Sequence, residues 1–196
     1  VDVFFVISGF LIGGLLWDEM DRTGNIDLRN FFLRRIRRLA PAFFAMLMAS
    51  SLAAYYILLP SEFRDFGKSL ITATLWLSNV QFFRDAGYFD VASESKVLLH
   101  TWSLAVEEQF YIALPLLLLL LKKCGKQETF GILIAVWIVS LASCILITLH
   151  SAAATFFLFP FRAWEMLSGV LLAIWTRRSD KSSSSGFDSL LSWLGL

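Results

Sequence analysis

The sequence predicts an all-α, polytopic transmembrane helix bundle with one re-entrant or interfacial segment. Of the 196 residues, 57% are hydrophobic and 15% aromatic, against about 45–50% apolar usage in a soluble domain. Five stretches, residues 3–17, 41–60, 104–121, 130–149 and 156–176, come near the roughly 20 apolar residues that a crossing helix needs. The basic residues collect between these stretches, and the formal net charge is only +1. That balance leaves no basic footprint for a nucleic acid, so the partner implied by composition is the lipid bilayer.

The loop between the first two stretches carries Arg22, Arg29, Arg34, Arg35, Arg37 and Arg38, and the positive-inside rule makes it cytoplasmic. By the same rule Lys122, Lys123 and Lys126, and then Arg177, Arg178 and Lys181, belong on that side. Residues 69–83, "SLITATLWLSNVQFF", are apolar enough to suggest another crossing. Counting them as one would turn the lysine loop outward, so they are expected to be re-entrant, buried against protein where broken helices are tolerated. Residues 61–103 then form one long outer excursion that carries His100. The run "SDKSSSSGFDS", residues 179–189, has the composition of a flexible cytoplasmic linker. The opening at Val1 in mid-pattern and the closing "LLSWLGL" suggest an internal piece of a longer protein, with residues 190–196 starting a further transmembrane helix.

Cys124 and Cys144 lie about 30 Å apart if they flank one helix, which argues against a disulfide, and two isolated thiols make no metal site. Gly9 and Gly13 have the spacing that lets membrane helices approach closely, and Ser8 beside them reads as packing rather than as a nucleophile. His150, at a loop edge, is expected to be solvated.

Four motifs stand out: "VDVFFVISGFLIGGLL" at residues 1–16, "FFLRRIRRLAP" at 31–41, "LLHTWSLAVEEQFY" at 98–111 and "FRAWEMLSGVLLA" at 161–173. In their order and spacing they resemble the integral-membrane acyltransferase 3 family, of the polysaccharide O-acetylase type. Residues 1–178 would form a partial domain of that kind. The resemblance implies an enzyme that takes an acyl group, usually acetyl, from cytoplasmic acyl-coenzyme A to a hydroxyl of a cell-envelope sugar in the bacterial inner membrane, with no metal. It also implies that the family's first helix, with its histidine, would precede Val1.

Such a reaction needs a base for the hydroxyl proton, a stabiliser for the oxyanion and a holder for the donor's phosphates. His100, Glu107 and Glu108 are the candidate catalytic groups, gathered at the start of a helix whose dipole favours negative charge. The alternative is that they only satisfy one another at an interfacial helix end, but ionisable groups at membrane depth point to function. Adjacent helical residues point about 100° apart, so the two glutamates should differ. Glu108 is favoured, because Pro115 on its stripe leaves the Tyr111 carbonyl unpaired nearby.

Arg34, Arg35, Arg37 and Arg38, on a short helix expected to end at Pro41, suit paired phosphate oxygens and are the candidate donor-binding residues. Arginine at the cytoplasmic end of a span is also what topology alone selects. Ser103 is expected to cap the following helix. With Arg162 and Glu165, an i, i+3 pair, it is assigned either to the acceptor site or to structure. A rival reading keeps the same carboxylates for a proton-coupled or sugar transporter without covalent chemistry.

Overall fold

The computed structural model describes residues 1–86 and 96–193, with residues 179–193 described by backbone only. Helix α1, Asp2–Thr23, stops where Gly24 takes a left-handed φ of 69° and returns its N–H to the Met20 carbonyl at 3.0 Å. A residue with a Cβ would be strained there. Asp27 then caps α2, accepting the Asn30 N–H at 3.0 Å. That bond holds the Asp27 carboxyl below its usual range.

Helix α2 is continuous from Leu28 to Ile57, with Pro41 inside it. The expected short arginine helix and the expected span at 41–60 are therefore one element. Proline at 41 removes a single hydrogen bond, to the Arg37 carbonyl, and membrane helices tolerate such a loss where neighbours or water satisfy the group.

The apolar stretch at 69–83 does not cross. It is divided between α3, Pro60–Thr74, and α4, Ser78–Ala86, of 15 and 9 residues, each too short to span a bilayer. At the break Trp76 has φ 58°, which costs about 1–2 kcal/mol for a residue with a Cβ. Its ring stacks on Phe43 of α2 at 4.7 Å, and its carbonyl accepts the Gln109 side-chain amide at 3.0 Å. Asn79 and Gln109 also exchange a reciprocal pair of amide bonds, at 3.0 and 3.3 Å. The break is thus pinned against the interior, in keeping with a re-entrant segment. Residues 87–95 of the expected outer excursion lie outside the described residues.

Helix α5 runs Thr101–Leu120 and continues as a 3-10 turn to Lys123. Ser103 is not its cap: the helix begins two residues earlier, and the Ser103 hydroxyl donates to the His100 carbonyl at 3.1 Å. Helix α6, Lys126–Thr148, and the short α7, Ala152–Phe157, lead to α8, Phe159–Trp193. The expected span at 156–176 is interrupted at Leu158, which is extended, and continues in α8. Helix α8 carries through the serine run expected to be a linker, and the side chains there and residues 194–196 lie outside the described residues.

Among the described residues, α1, α2, α5 with its 3-10 turn, and α6 are long and apolar enough to cross a membrane. Helix α8 runs parallel to α1, with two of its arginines paired to that helix. Near one end Arg162 Nη1 reaches Asp2 at 2.8 Å, and near the other Arg177 Nε donates to both oxygens of Asp18 at 2.8 and 2.9 Å. Between these ion pairs the backbones touch. A Cβ on Gly9 would lie 1.9 Å from the Met166 carbonyl oxygen, and one on Gly169 would lie 2.0 Å from that of Val6. The packing role expected of Gly9 is borne out, and Gly169 supplies its counterpart. Lys126 pairs with Asp21, and Arg178 donates to the Lys126 carbonyl at 2.7 Å. Lys126 of α6 and Arg177 and Arg178 of α8 thus share one end of the bundle with the C-terminal end of α1. His100 lies at the opposite end, where Trp102 packs on Phe5 and Phe156.

Gly9→Ala and Gly169→Ala should each cost about 1–3 kcal/mol through overpacking of backbone on backbone. Gly67→Ala, whose Cβ would meet nothing within 4 Å, should be neutral or stabilising by up to about 1 kcal/mol. Reversible unfolding in detergent reads the difference, and equal behaviour of all three variants would contradict the close contact.

Candidate active site

Helix α5 presents successive side chains to different neighbours. Glu107, 4% exposed, turns toward α1, where Ser8 Oγ donates to its Oε1 at 2.5 Å. Tyr111, one turn later on the same face, donates its hydroxyl to that oxygen as well, and its oxygen lies against Ser8 Oγ, where no hydrogen bond forms while both hydroxyl protons are directed at Glu107. Arg35 of α2 completes the group. Its Nη2 reaches Glu107 Oε1 at 3.4 Å, its Nε donates to Glu108 Oε1 at 3.1 Å, and its guanidinium lies 3.1 Å from the centre of the Tyr111 ring. Three donors therefore converge on one oxygen of Glu107, whereas Glu108 accepts from Arg35 alone among the described residues.

Buried charges in a membrane bundle must be paired, and removing one partner strands the other. One guanidinium here serves two carboxylates, and the hydroxyl protons of Ser8 and Tyr111 supply the remaining donors. The arrangement can hold a proton, and it can take one from a hydroxyl brought to Glu107. Nothing else on α1 or α2 offers a comparable polar group to α5.

The residues singled out in the sequence fall into four places. Glu107, Glu108 and Arg35 come together, so one arginine of the basic helix belongs to the carboxylates. Arg34, Arg37 and Arg38 are exposed and make no ion pair among the described residues. His100 is exposed at the start of α5 with no side-chain cap bond, about 10 Å along the axis from Glu107 at helical rise, and Ser103 stays beside it. Arg162 and Glu165 pair at 2.6 Å at the end of the bundle opposite the lysines. Arg162 also faces the Trp102 and Phe156 rings. Glu165 is buried, and its Oε2 has no partner among the described residues.

Near the basic end a cleft of ≈ 840 Å³ opens beside the start of α2, lined by the carboxylates of Glu19 and Asp27 as well as by Lys122, Asn25 and Leu119. Among the described residues no group of three or more His, Cys, Asp or Glu side chains could hold a metal ion. Ser8 is the member of the cluster that sequence reasoning missed. Its partner is 99 residues away, although a serine on the same stripe as the buried Phe5 and Ile12 was itself a signal.

Compared with known proteins, the chain matches over residues 1–196 the family described as an acyltransferase domain. It is 36% identical over 190 residues to an uncharacterized protein of Haemophilus influenzae (strain Rd), a match covering 92% of this chain and 76% of that protein. It is 37% identical over 180 residues to a protein of Staphylococcus aureus (strain COL) that its name proposes to be an O-acetyltransferase, covering 88% of this chain. It is 31% identical over 185 residues to the peptidoglycan O-acetyltransferase OatA of Listeria monocytogenes, covering 89%. The chain spans only 29% of the length of each of the last two. No solved structure matches it.

Arg35→Ala should destabilise the fold by about 3–5 kcal/mol, because it leaves two carboxylates without their cation. Adding Glu107→Gln and Glu108→Gln in the same chain should recover most of that loss. A double-mutant cycle on the unfolding free energy is the measurement. Simple additivity would mean that the arginine does not couple to the pair.

Proposed function

Because the chain belongs to this acyltransferase family, we propose that it performs O-acyl transfer within the membrane. The acyl group, acetyl in the reading favoured here, comes from cytoplasmic acyl-coenzyme A and passes to a hydroxyl of a cell-envelope polysaccharide or glycolipid. In this reading the site of action is a bacterial inner (plasma) membrane, and the helices long and apolar enough to cross a membrane support the membrane part of it. The observation that carries the chemistry is the buried Glu107 oxygen on which Ser8, Tyr111 and Arg35 converge. A carboxylate held this way takes the proton of an attacking hydroxyl as that oxygen bonds to the thioester carbonyl, and the proton then leaves with the coenzyme thiol. Arg35 lies beside the developing oxyanion and offsets its charge.

Glu107 is the proton acceptor in this mechanism. The proline stripe pointed instead to Glu108, but the hydroxyls stand on the Glu107 side. Glu108 keeps Arg35 in place through its 3.1 Å bond. Arg34, Arg37 and Arg38 are exposed and without an ion pair among the described residues, which leaves them available for the donor's phosphates. His100, at the opposite end, supports the acceptor's approach.

Glu107→Gln in the full-length protein should lower acyl transfer by about 10²–10⁴-fold, the usual size of a general-base contribution. Glu108→Gln should cost much less, because a neutral amide oxygen still accepts the Arg35 bond. Transfer to envelope polysaccharide at matched membrane levels reads both. Full transfer in both variants would remove Glu107 and Glu108 from the proton chemistry.

Arg34→Ala with Arg38→Ala should raise the Kd for acyl-coenzyme A by the loss of roughly 1.5–3 kcal/mol per charge-assisted contact, with acceptor affinity unchanged. Lysine at both positions should restore only part, since a point charge cannot form the fork. Unchanged donor affinity in the alanine variant would reduce the cluster to a topology signal.

A further inference from the structure

We propose that Ser8 is a covalent way-station, accepting the acyl group on its Oγ as an ester before the sugar hydroxyl takes it. The proposal rests on the acyltransferase reading above and goes beyond it, since that reading is equally served by direct attack of the sugar.

Four observations converge on Ser8. Its hydroxyl donates to Glu107 Oε1 at 2.5 Å, the relation a serine nucleophile needs with its base. The base is itself oriented by two further donors, Tyr111 and Arg35. Ser8 is 6% exposed, so an ester formed there is kept from bulk water, which a stable intermediate requires. Its position is also fixed from behind: the adjacent Gly9 lies directly against the Met166 backbone of α8, so α1 cannot slide or rotate at this level. A serine serving only to fill space in a helix contact would need neither a carboxylate nor a tyrosine hydroxyl.

The steps balance with the thioester as the sole co-reactant. Ser8 Oγ attacks the thioester carbonyl, and Glu107 takes the hydroxyl proton. The C–S bond breaks, and the coenzyme thiolate leaves with that proton as a thiol. A sugar hydroxyl then attacks the Ser8 ester, giving its proton to Glu107. The proton returns to Ser8 Oγ as the C–O bond to the serine breaks, and the free residue is restored. No electron is gained or lost overall. Approach is from the Arg35 side, where the 3.4 Å contact to Glu107 is the looser of the arginine's two ion pairs.

The test uses full-length protein in membranes, incubated with isotope-labelled acetyl-coenzyme A and no acceptor, quenched in acid and digested for mass spectrometry. The proposal expects the acetyl label on the peptide containing Ser8, chased off when acceptor polysaccharide is added. Ser8→Ala should lose the label and at least about a hundredfold of transfer. Ser8→Cys, close in volume, should trap a thioester that neutral hydroxylamine releases. Wild-type protein that transfers acetyl without labelling Ser8, or Ser8→Ala that keeps more than about a tenth of the activity, would overturn the proposal and leave the acyltransferase reading standing. Wild-type protein that neither labels nor transfers from acetyl-coenzyme A would overturn both.

Discussion

A guanidinium held between two carboxylates inside an apolar bundle decides where α2 can lie. Most of α2 is exposed, and its buried side chains are Phe31, Phe43, Leu47 and Ala54. In lipid there is little hydrophobic gain from pressing such a helix against its neighbours, because the acyl chains are as apolar as its own surface. Arg35 supplies what packing does not. Once it is within the bundle it must be paired, and Glu107 and Glu108 of α5 are the partners it finds. The same contact joins the arginine-rich segment to the carboxylates. Arg35, grouped with the other arginines on the sequence alone, stands instead with the carboxylates.

The other half of the site depends on a different kind of contact. Ser8 reaches Glu107 because α1 is held against α8 by backbone approach at Gly9 and Gly169 and by ion pairs near both ends. Backbone contact of this closeness leaves few alternative registers. Moving α1 by one residue would turn Ser8 about 100° away from α5 and place Phe10 or Ser8 where glycine is required. Two of the α8 arginines, Arg162 and Arg177, are held by carboxylates of α1.

The helices were largely legible in the sequence, since apolar length is a local property and basic loops mark one end. The re-entrant reading of 69–83 followed from charge bookkeeping alone, and the break at Trp76 agrees with it. Local signals misled in three places. Pro41 read as a stop, yet a membrane helix absorbs one lost hydrogen bond. Ser103 read as a cap, yet the helix starts at Thr101. The stretch from 156 read as one span, yet it is interrupted at Leu158. The site was legible only in part. The spacing of Glu107 and Tyr111 showed their common face, but no pattern within residues 1–16 shows that Ser8 will meet a carboxylate 99 residues on. The four arginines look alike in sequence, and only the packing of α2 against α5 makes Arg35 different from Arg34, Arg37 and Arg38.

That difference between neighbouring arginines follows from helical geometry acting on a charged segment at a membrane boundary. At about 100° per residue, a run of four arginines in five positions cannot put all its charges on one side. One of them faces the bundle, and the others face away from it. The inward one meets buried carboxylates and is fixed by charge pairing. The outward ones keep their charge available to a mobile anion on the basic side. A cluster denser than topology requires therefore does two physical jobs at once: it ties the helix to the buried acids, and it presents cations within a turn of them.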